Sequence, residues 1–160
     1  MDFKTWCARG LTVMVLGAAS LAHGAPLTGL TLTPPGLTVP PGVTADPPGT
    51  FLEALLQPWI FTTTAGTTSG SLLTAVFRNT TGTLDFYYQV SNDSASATDI
   101  ARLSAVNFSN FTTWTGFRLD GSTLGNGFVD GTVQPFTDDR TADGPAVGFN
   151  FGPLPGDRIL

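Results

Sequence analysis

The chain has 160 residues, with seven basic side chains against twelve acidic ones, a net charge of −5 and only 12% charged residues in all. An acidic balance of this kind argues against nucleic acid, whose binding rests on Lys and Arg neutralising phosphates, and against an anionic membrane surface. The single cysteine, Cys7, excludes an intramolecular disulfide framework.

The first 24 residues have the pattern of an export signal. Lys4 and Arg9 form a positive region, "LTVMVLGAASLA" (11–22) is a 12-residue apolar core, and Ala22 and Gly24 are the small residues a signal peptidase reads. The apolar run is shorter than the roughly 20 residues a membrane span needs. Cys7 precedes that run, so no lipoprotein anchor is expected. Cleavage before Ala25 would leave a chain without His, Cys or Lys, in which five arginines face Glu53 and ten aspartates for a net charge of −6. Its abundance of Thr, Val, Phe and Trp favours strands, and its near lack of Lys and Glu disfavours helices. The expected class is all-β, in one domain over 51–160.

Residues 25–50, "APLTGLTLTPPGLTVPPGVTADPPGT", read as an extended Pro/Gly-rich lead-in with "PPG" at Pro34, Pro40 and Pro47. Proline withholds ladder donors, so polyproline-like extension or edge placement is expected. Leu30 and Leu32 alternate with threonines and allow one short strand. A stiff surface loop is the simplest account of the rest, with a recognition segment as the alternative. "FLEALLQ" (51–57) has helical spacing at Phe51, Leu52, Leu55 and Leu56 and stops at Pro58. One or two helical turns are expected there, with a strand as the competing reading.

From Trp59 the pattern is strand and turn. "PWIFTTT", "SLLTAVFRN", "TLDFYYQVSN", "ARLSAVNFSNFTTWTGFRL" (two strands), "GFVDGTVQPF" and "AVGFNF" are the expected strands. "NTTG" reads as a hairpin loop, and Asp120-Gly121, Asn126-Gly127, Asp130-Gly131 and Asp143-Gly144 accept positive φ cheaply. Short strands at this spacing suggest an antiparallel β-sandwich, Ig-like or jelly-roll-like, with a barrel as the alternative. Within Thr83–Asn92, alternation puts Leu84, Phe86, Tyr88 and Val90 on an expected core face. Asp85, Tyr87, Gln89 and Ser91 fall on an expected polar face.

Catalytic signals are poor. Without His, Cys or Lys after residue 24 there is no catalytic triad, His-ligated zinc, P-loop lysine or Schiff base. A glycosidase needs two positioned carboxylates, and no local motif selects a pair. "DDRTADGPAVGFN" is a candidate calcium loop, in which Asp139, Thr141, Asp143 and Gly144 copy the alternating oxygens and glycine of such loops. Asn150 stands where a bidentate Glu would close the site. An Asp-rich turn explains the same residues. Asn79, Asn92, Asn107 and Asn110 begin glycosylation-type triplets that arise readily in a chain this rich in Asn, Ser and Thr, and they read as polar strand and loop chemistry. Tyr87 and Trp114 are the candidate ligand-binding aromatics, with Trp59, Phe108 and Phe111 as further rings.

"AVFRNTTGTLDFYYQVSND", "GFRLDGSTLGNGFVDGTVQPFTDDR" and "VGFNFGP" together resemble a group of uncharacterised exported bacterial proteins. Many of these look like PEP-CTERM sorting domain proteins, linked to the envelope and exopolysaccharide of Gram-negative bacteria. The resemblance runs from about Pro47 to the end and implies no activity and no catalytic residues. Such proteins usually continue with further strands and a sorting signal, so a shortened member or a truncated reading frame is expected here. The resulting expectation is an exported, non-enzymatic envelope or extracellular-matrix protein, structural or adhesive. Its expected partners are extracellular polysaccharide or envelope proteins. A carbohydrate-binding module, perhaps assisted by calcium, is the alternative.

Overall fold

A computed structural model describes residues 30–32, 36–43, 49–142 and 144–152. The expected leader, much of the lead-in and Asp143 lie outside the described residues. Among the described residues nine strands carry the fold: β1 (Leu30–Leu32), β2 (Gly36–Thr38), β3 (Thr50–Thr63), β4 (Gly66–Arg78), β5 (Leu84–Asn92), β6 (Arg102–Val106), β7 (Thr113–Thr115), β8 (Thr137–Arg140) and β9 (Ala146–Asn150). They form three antiparallel sheets, ordered β1-β7, β2-β8-β9-β6 and β3-β4-β5. The class is all-β; among the described residues the only helical element is a 3-10 turn at Gly121–Leu124.

The helical expectation for Phe51–Gln57 is overturned. These residues form the first half of β3, a 14-residue strand that runs through Pro58 and pairs with β4 from Thr50↔Arg78 to Thr63↔Gly66. Helical spacing of four apolar residues loses here because β4 offers a continuous partner, and a strand apolar on both faces satisfies either period. Proline is tolerated because β3 lies at the sheet's edge. A bulge between Phe51 and Glu53 shifts the register by one residue.

β4 and β5 form the expected hairpin. Asn79 organises its loop: the side-chain oxygen accepts from the Thr81 and Thr83 amides at 2.9 and 3.2 Å, and the side chain is buried. The register pairs Leu73 with Gln89, Ala75 with Tyr87 and Phe77 with Asp85. This corrects the expected division of faces. Leu73, Ala75 and Phe77 are buried and join Leu124 and Phe128 in the hydrophobic core, with Tyr87 and Ala54 packed against it. The face of β5 read as polar is therefore the one under this core. The Leu84–Val90 face is covered as well: Val90 is buried, and Phe86 meets Phe108 edge-to-face at 6.1 Å.

The core is closed by the segment 118–131. Arg118 grips Asp120 with two bonds of 2.9 Å, Ser122 donates its amide to Asp130 at 3.0 Å, and the Gly131 amide reaches the Leu119 carbonyl at 2.9 Å. Asn126 and Gly127 both take positive φ, 53° and 90°, as an Asn-Gly turn allows. "GFVDGTVQPF", expected as a strand, belongs to this irregular cover; its backbone follows the turn instead of a ladder. The strand begins later, at Thr137, where an Asp-rich turn was expected.

β1 appears where Leu30 and Leu32 suggested, and β1 and β2 pair with β7 and β8. Parts of the expected lead-in are thus ladder strands of the fold, with β2 at a sheet edge.

Gly70 marks the tightest crossing of the large sheet. A Cβ there would stand 1.9 Å from the Ser91 carbonyl and 2.6 Å from the Trp59 ring. Gly70→Ala is expected to lower stability by about 3 kcal/mol. Gly125→Ala, at φ 66° with open space around it, is expected to cost about 1 kcal/mol. Paired urea melts check the order; equal losses would contradict this packing.

Candidate functional site

The residues singled out by sequence do not converge. Tyr87 lies on β5 with its ring edge-to-face on Phe77 at 5.5 Å, whereas Trp114 lies on β7, opposite Thr31 in a different sheet. Tyr87 therefore serves the core's rim. Tyr88, on the opposite face, has a hydroxyl that is buried without a hydrogen-bond partner among the described residues, and burial pushes its pKa up to about 12.

Two residues of the candidate calcium loop do meet. Asp139 on β8 and Asn150 on β9 are joined by an Asn150 Nδ2–H to Asp139 Oδ2 bond of 2.7 Å. A guanidinium already occupies the place between them. Arg102 on β6 reaches across Gly148, donating to Asn150 Oδ1 at 2.6 Å and to both oxygens of Asp139, one at 2.7 Å. A Cβ on Gly148 would collide with that guanidinium at 1.9 Å. The hydrogen bond from Arg102 holds the Asp139 carboxyl below its ordinary range. Thr141 accepts the Ala146 amide at 3.1 Å and closes the β8–β9 turn. Asp139 and Asn150 are thus both bonded to a cation that belongs to the chain, which competes with calcium for these two candidate ligands. The sequence signal for this arrangement was the glycine inside "AVGFN", which makes room for a side chain crossing from the next strand.

The buried ionic residues of β8 are engaged inside the fold. Asp138 is fully buried and accepts from the Thr115 hydroxyl. Neighbouring Arg140, also buried, donates to the carbonyls of Gly144, Phe108 and Phe111 at 3.0, 2.6 and 2.8 Å, and burial lowers its pKa. No group of three or more His, Cys, Asp or Glu side chains suited to a metal occurs among the described residues. A cavity of about 260 Å³ opens beside the core, between Leu56, Leu73, Ser71, Ser91, Gln89 and Val129. Its polar groups bond one another: the two serine hydroxyls lie 2.7 Å apart, and the Gln89 amide clamps the Val129 backbone at 2.6 and 3.0 Å.

What stands out instead is β3. Six of its large apolar side chains are exposed: Phe51, Leu52, Leu55, Leu56, Ile60 and Phe61, with Leu56 at 64% and Ile60 at 68%. Among the described residues the strand's other edge has no partner in its sheet. The direction of its backbone follows from β4. The Ser69 carbonyl accepts the Asp93 amide at 2.9 Å, and the Ser71 amide donates to Ser91 Oγ at 3.2 Å, so these residues bond toward β5. Alternation leaves Gly70, Leu72 and Thr74 to bond Trp59, Gln57 and Leu55. Ala54, Leu56, Pro58, Ile60 and Thr62 then turn their backbone groups outward. Sequence reasoning missed this surface because it assigned the first half of β3 to a helix.

No protein-family model, curated protein or solved structure matches the chain.

Asp85 yields a pH prediction. It is buried, its Oδ2 has no hydrogen-bond partner among the described residues, and desolvation raises its pKa from 3.8 to about 6. The folded state therefore binds this proton more tightly than the unfolded chain, and stability falls as pH rises from about 4 to about 6. Asp120, Asp130 and Asp139 have lowered values, each chiefly through a side-chain hydrogen bond. Their contribution is full above the unfolded value and is lost as pH falls below it. The melting temperature should peak near pH 4 and decline up to about pH 6, and Asp85→Asn should remove most of that decline, worth up to about 3 kcal/mol. A second prediction concerns calcium. Millimolar calcium should leave the melting curve unmoved; a clear stabilisation would restore the calcium reading.

Proposed function

We propose that the protein is an exported, non-enzymatic component of the cell envelope or extracellular matrix, a structural or adhesive β-sandwich whose working surface is β3. The observation that carries this reading is the concentration of exposed apolar side chains on one long edge strand. Exposed edges are aggregation hazards that soluble proteins ordinarily shorten, charge or cover, and contiguous apolar surface of this extent marks interaction sites. β3 carries one charge in 14 residues, Glu53.

Other features agree with it. Residues 25–160 contain no His, Cys or Lys, and Asp120, Asp130, Asp138 and Asp139 are each engaged by a hydroxyl, amide or guanidinium partner of the chain, a poor basis for paired acid–base chemistry. Export rests on the leader pattern, and the envelope setting on the resemblance around the β4–β5 hairpin. The sandwich is supported by Phe86 of the β3-β4-β5 sheet meeting Phe108, just after β6 of the β2-β8-β9-β6 sheet.

The test is made on the purified chain. It should show no turnover on panels of glycoside, ester, peptide and phosphoester substrates. Beads coated with it should adhere to polysaccharide-coated or apolar surfaces, and Leu56→Lys with Ile60→Lys should cut that adhesion at least fivefold while leaving the β-type circular dichroism unchanged. Robust hydrolysis, or adhesion indifferent to both substitutions, would overturn the reading.

A further inference from the structure

We infer that Asn110, on the loop between β6 and β7, is an acceptor site for an N-linked oligosaccharide, and that the fold selects it from the four Asn-X-Ser/Thr triplets of the chain. The inference rests on the export reading, since such triplets receive their sugar outside the cytoplasm, and it adds a modification site to that reading.

The triplets at Asn79 and Asn92 are sealed. Asn79 is 6% exposed and Asn92 4%. Each spends its side-chain nitrogen, the atom that would carry the sugar, inside the fold. Asn79 Nδ2 donates to the Thr83 hydroxyl, and Asn92 Nδ2 donates to the Thr98 carbonyl at 3.0 Å. Transfer at either would break a buried hydrogen bond and drive a bulky polar group into packed space.

Asn107 and Asn110 stand on the 107–112 loop, and both are exposed. Neither side chain is hydrogen-bonded among the described residues. The loop is held from below. The buried Arg140 guanidinium donates to the Phe108 and Phe111 carbonyls at 2.6 and 2.8 Å, and the Phe111 amide donates to the Phe108 carbonyl at 3.1 Å. That last bond closes a turn with Ser109 and Asn110 at its tip. Asn110 takes the third position with φ 67°, a conformation that glycine and asparagine tolerate best.

The middle residue separates the two exposed triplets. Phe108 packs its ring edge-to-face on Phe86 at 6.1 Å. An enzyme that drew Asn107-Phe108-Ser109 into its cleft would have to pull that ring from its contact. In the second triplet Phe111 is 39% exposed and Thr112 is exposed, so acceptor, middle residue and hydroxyl are presented together. The co-substrate is an oligosaccharide carried on a polyprenyl diphosphate. Asn110 Nδ2 forms a bond to C1 of the first sugar, and the C1–O bond to the diphosphate breaks. The polyprenyl diphosphate leaves with the electron pair, and the amide nitrogen gives up one proton.

The experiment incubates the folded full chain with lipid-linked oligosaccharide and a purified oligosaccharyltransferase whose sequence requirement is Asn-X-Ser/Thr alone. Trypsin cuts after Arg78, Arg102 and Arg118, so Asn79 and Asn92 fall on peptide 79–102, and Asn107 and Asn110 on peptide 103–118. Mass spectrometry should find the glycan at Asn110, with occupancy at least tenfold above that of each other asparagine. Thr112→Ala leaves the acceptor in place and removes the hydroxyl the enzyme reads, and Asn110→Gly suits the turn. Each should abolish transfer with the circular dichroism unchanged. No glycan on 103–118, preference for Asn107, or equal occupancy at Asn79 or Asn92 would overturn the assignment. Bead adhesion that survives such a result would leave the broader reading in place. A leader left uncleaved in an exporting host would remove the export reading and this site with it.

Discussion

Everything in this fold leans on β4. It is the middle strand of the β3-β4-β5 sheet, and its residues Leu73, Ala75 and Phe77 are the buried row on which Leu124 and Phe128 close. A strand's alternation then dictates the rest. The residues that bury their side chains in the core send their backbone bonds to β5, and the intervening ones hold β3. Among the described residues β3 has no second partner in its sheet, so its outward N–H and C=O groups and many of its apolar side chains stand open.

Polar groups inside the fold are handled by pairing. The 118–131 cover is locked through Arg118–Asp120 and Ser122–Asp130, and the Gln89 amide fixes it to the sheet. Arg102 draws Asp139 and Asn150 together from three strands. With that ion pair partly exposed, at 38% and 23% of the two side chains, its net stabilisation is on the order of 1 kcal/mol or less. Its larger consequence is geometric, since it fills the space a cation would need. Asp85 and Tyr88 are among the exceptions: the Asp85 Oδ2 and the Tyr88 hydroxyl are buried without a hydrogen-bond partner among the described residues.

Much of the architecture was legible in the residues. The class, the "NTTG" hairpin, β1 at Leu30–Leu32 and β9 at "AVGFN" follow from alternation and turn chemistry. Three features were not. Phe51–Gln57 is apolar at both the helical and the strand period, and only the presence of β4 decides between them. Which face of β5 is inside depends on what packs there, and Leu124 and Phe128 arrive from a segment 35 to 40 residues away. β8 looked like a turn because Asp138, Asp139 and Arg140 are poor strand residues alone; partners on β6, β7 and the 107–111 loop make them tolerable. The candidate ligand residues failed to converge for the same reason: Tyr87 and Trp114 share a chemistry but not a sheet.

The central claim is that β4 commits the inner backbone groups of β3 and leaves its outer edge open as the working surface. Amide hydrogen exchange measured residue by residue tests it most directly. Leu55, Gln57 and Trp59, bonded to β4, should be protected, and the amides of Ala54, Leu56 and Ile60 should exchange at least tenfold faster. Protection of Leu56 equal to that of Gln57 would contradict the account.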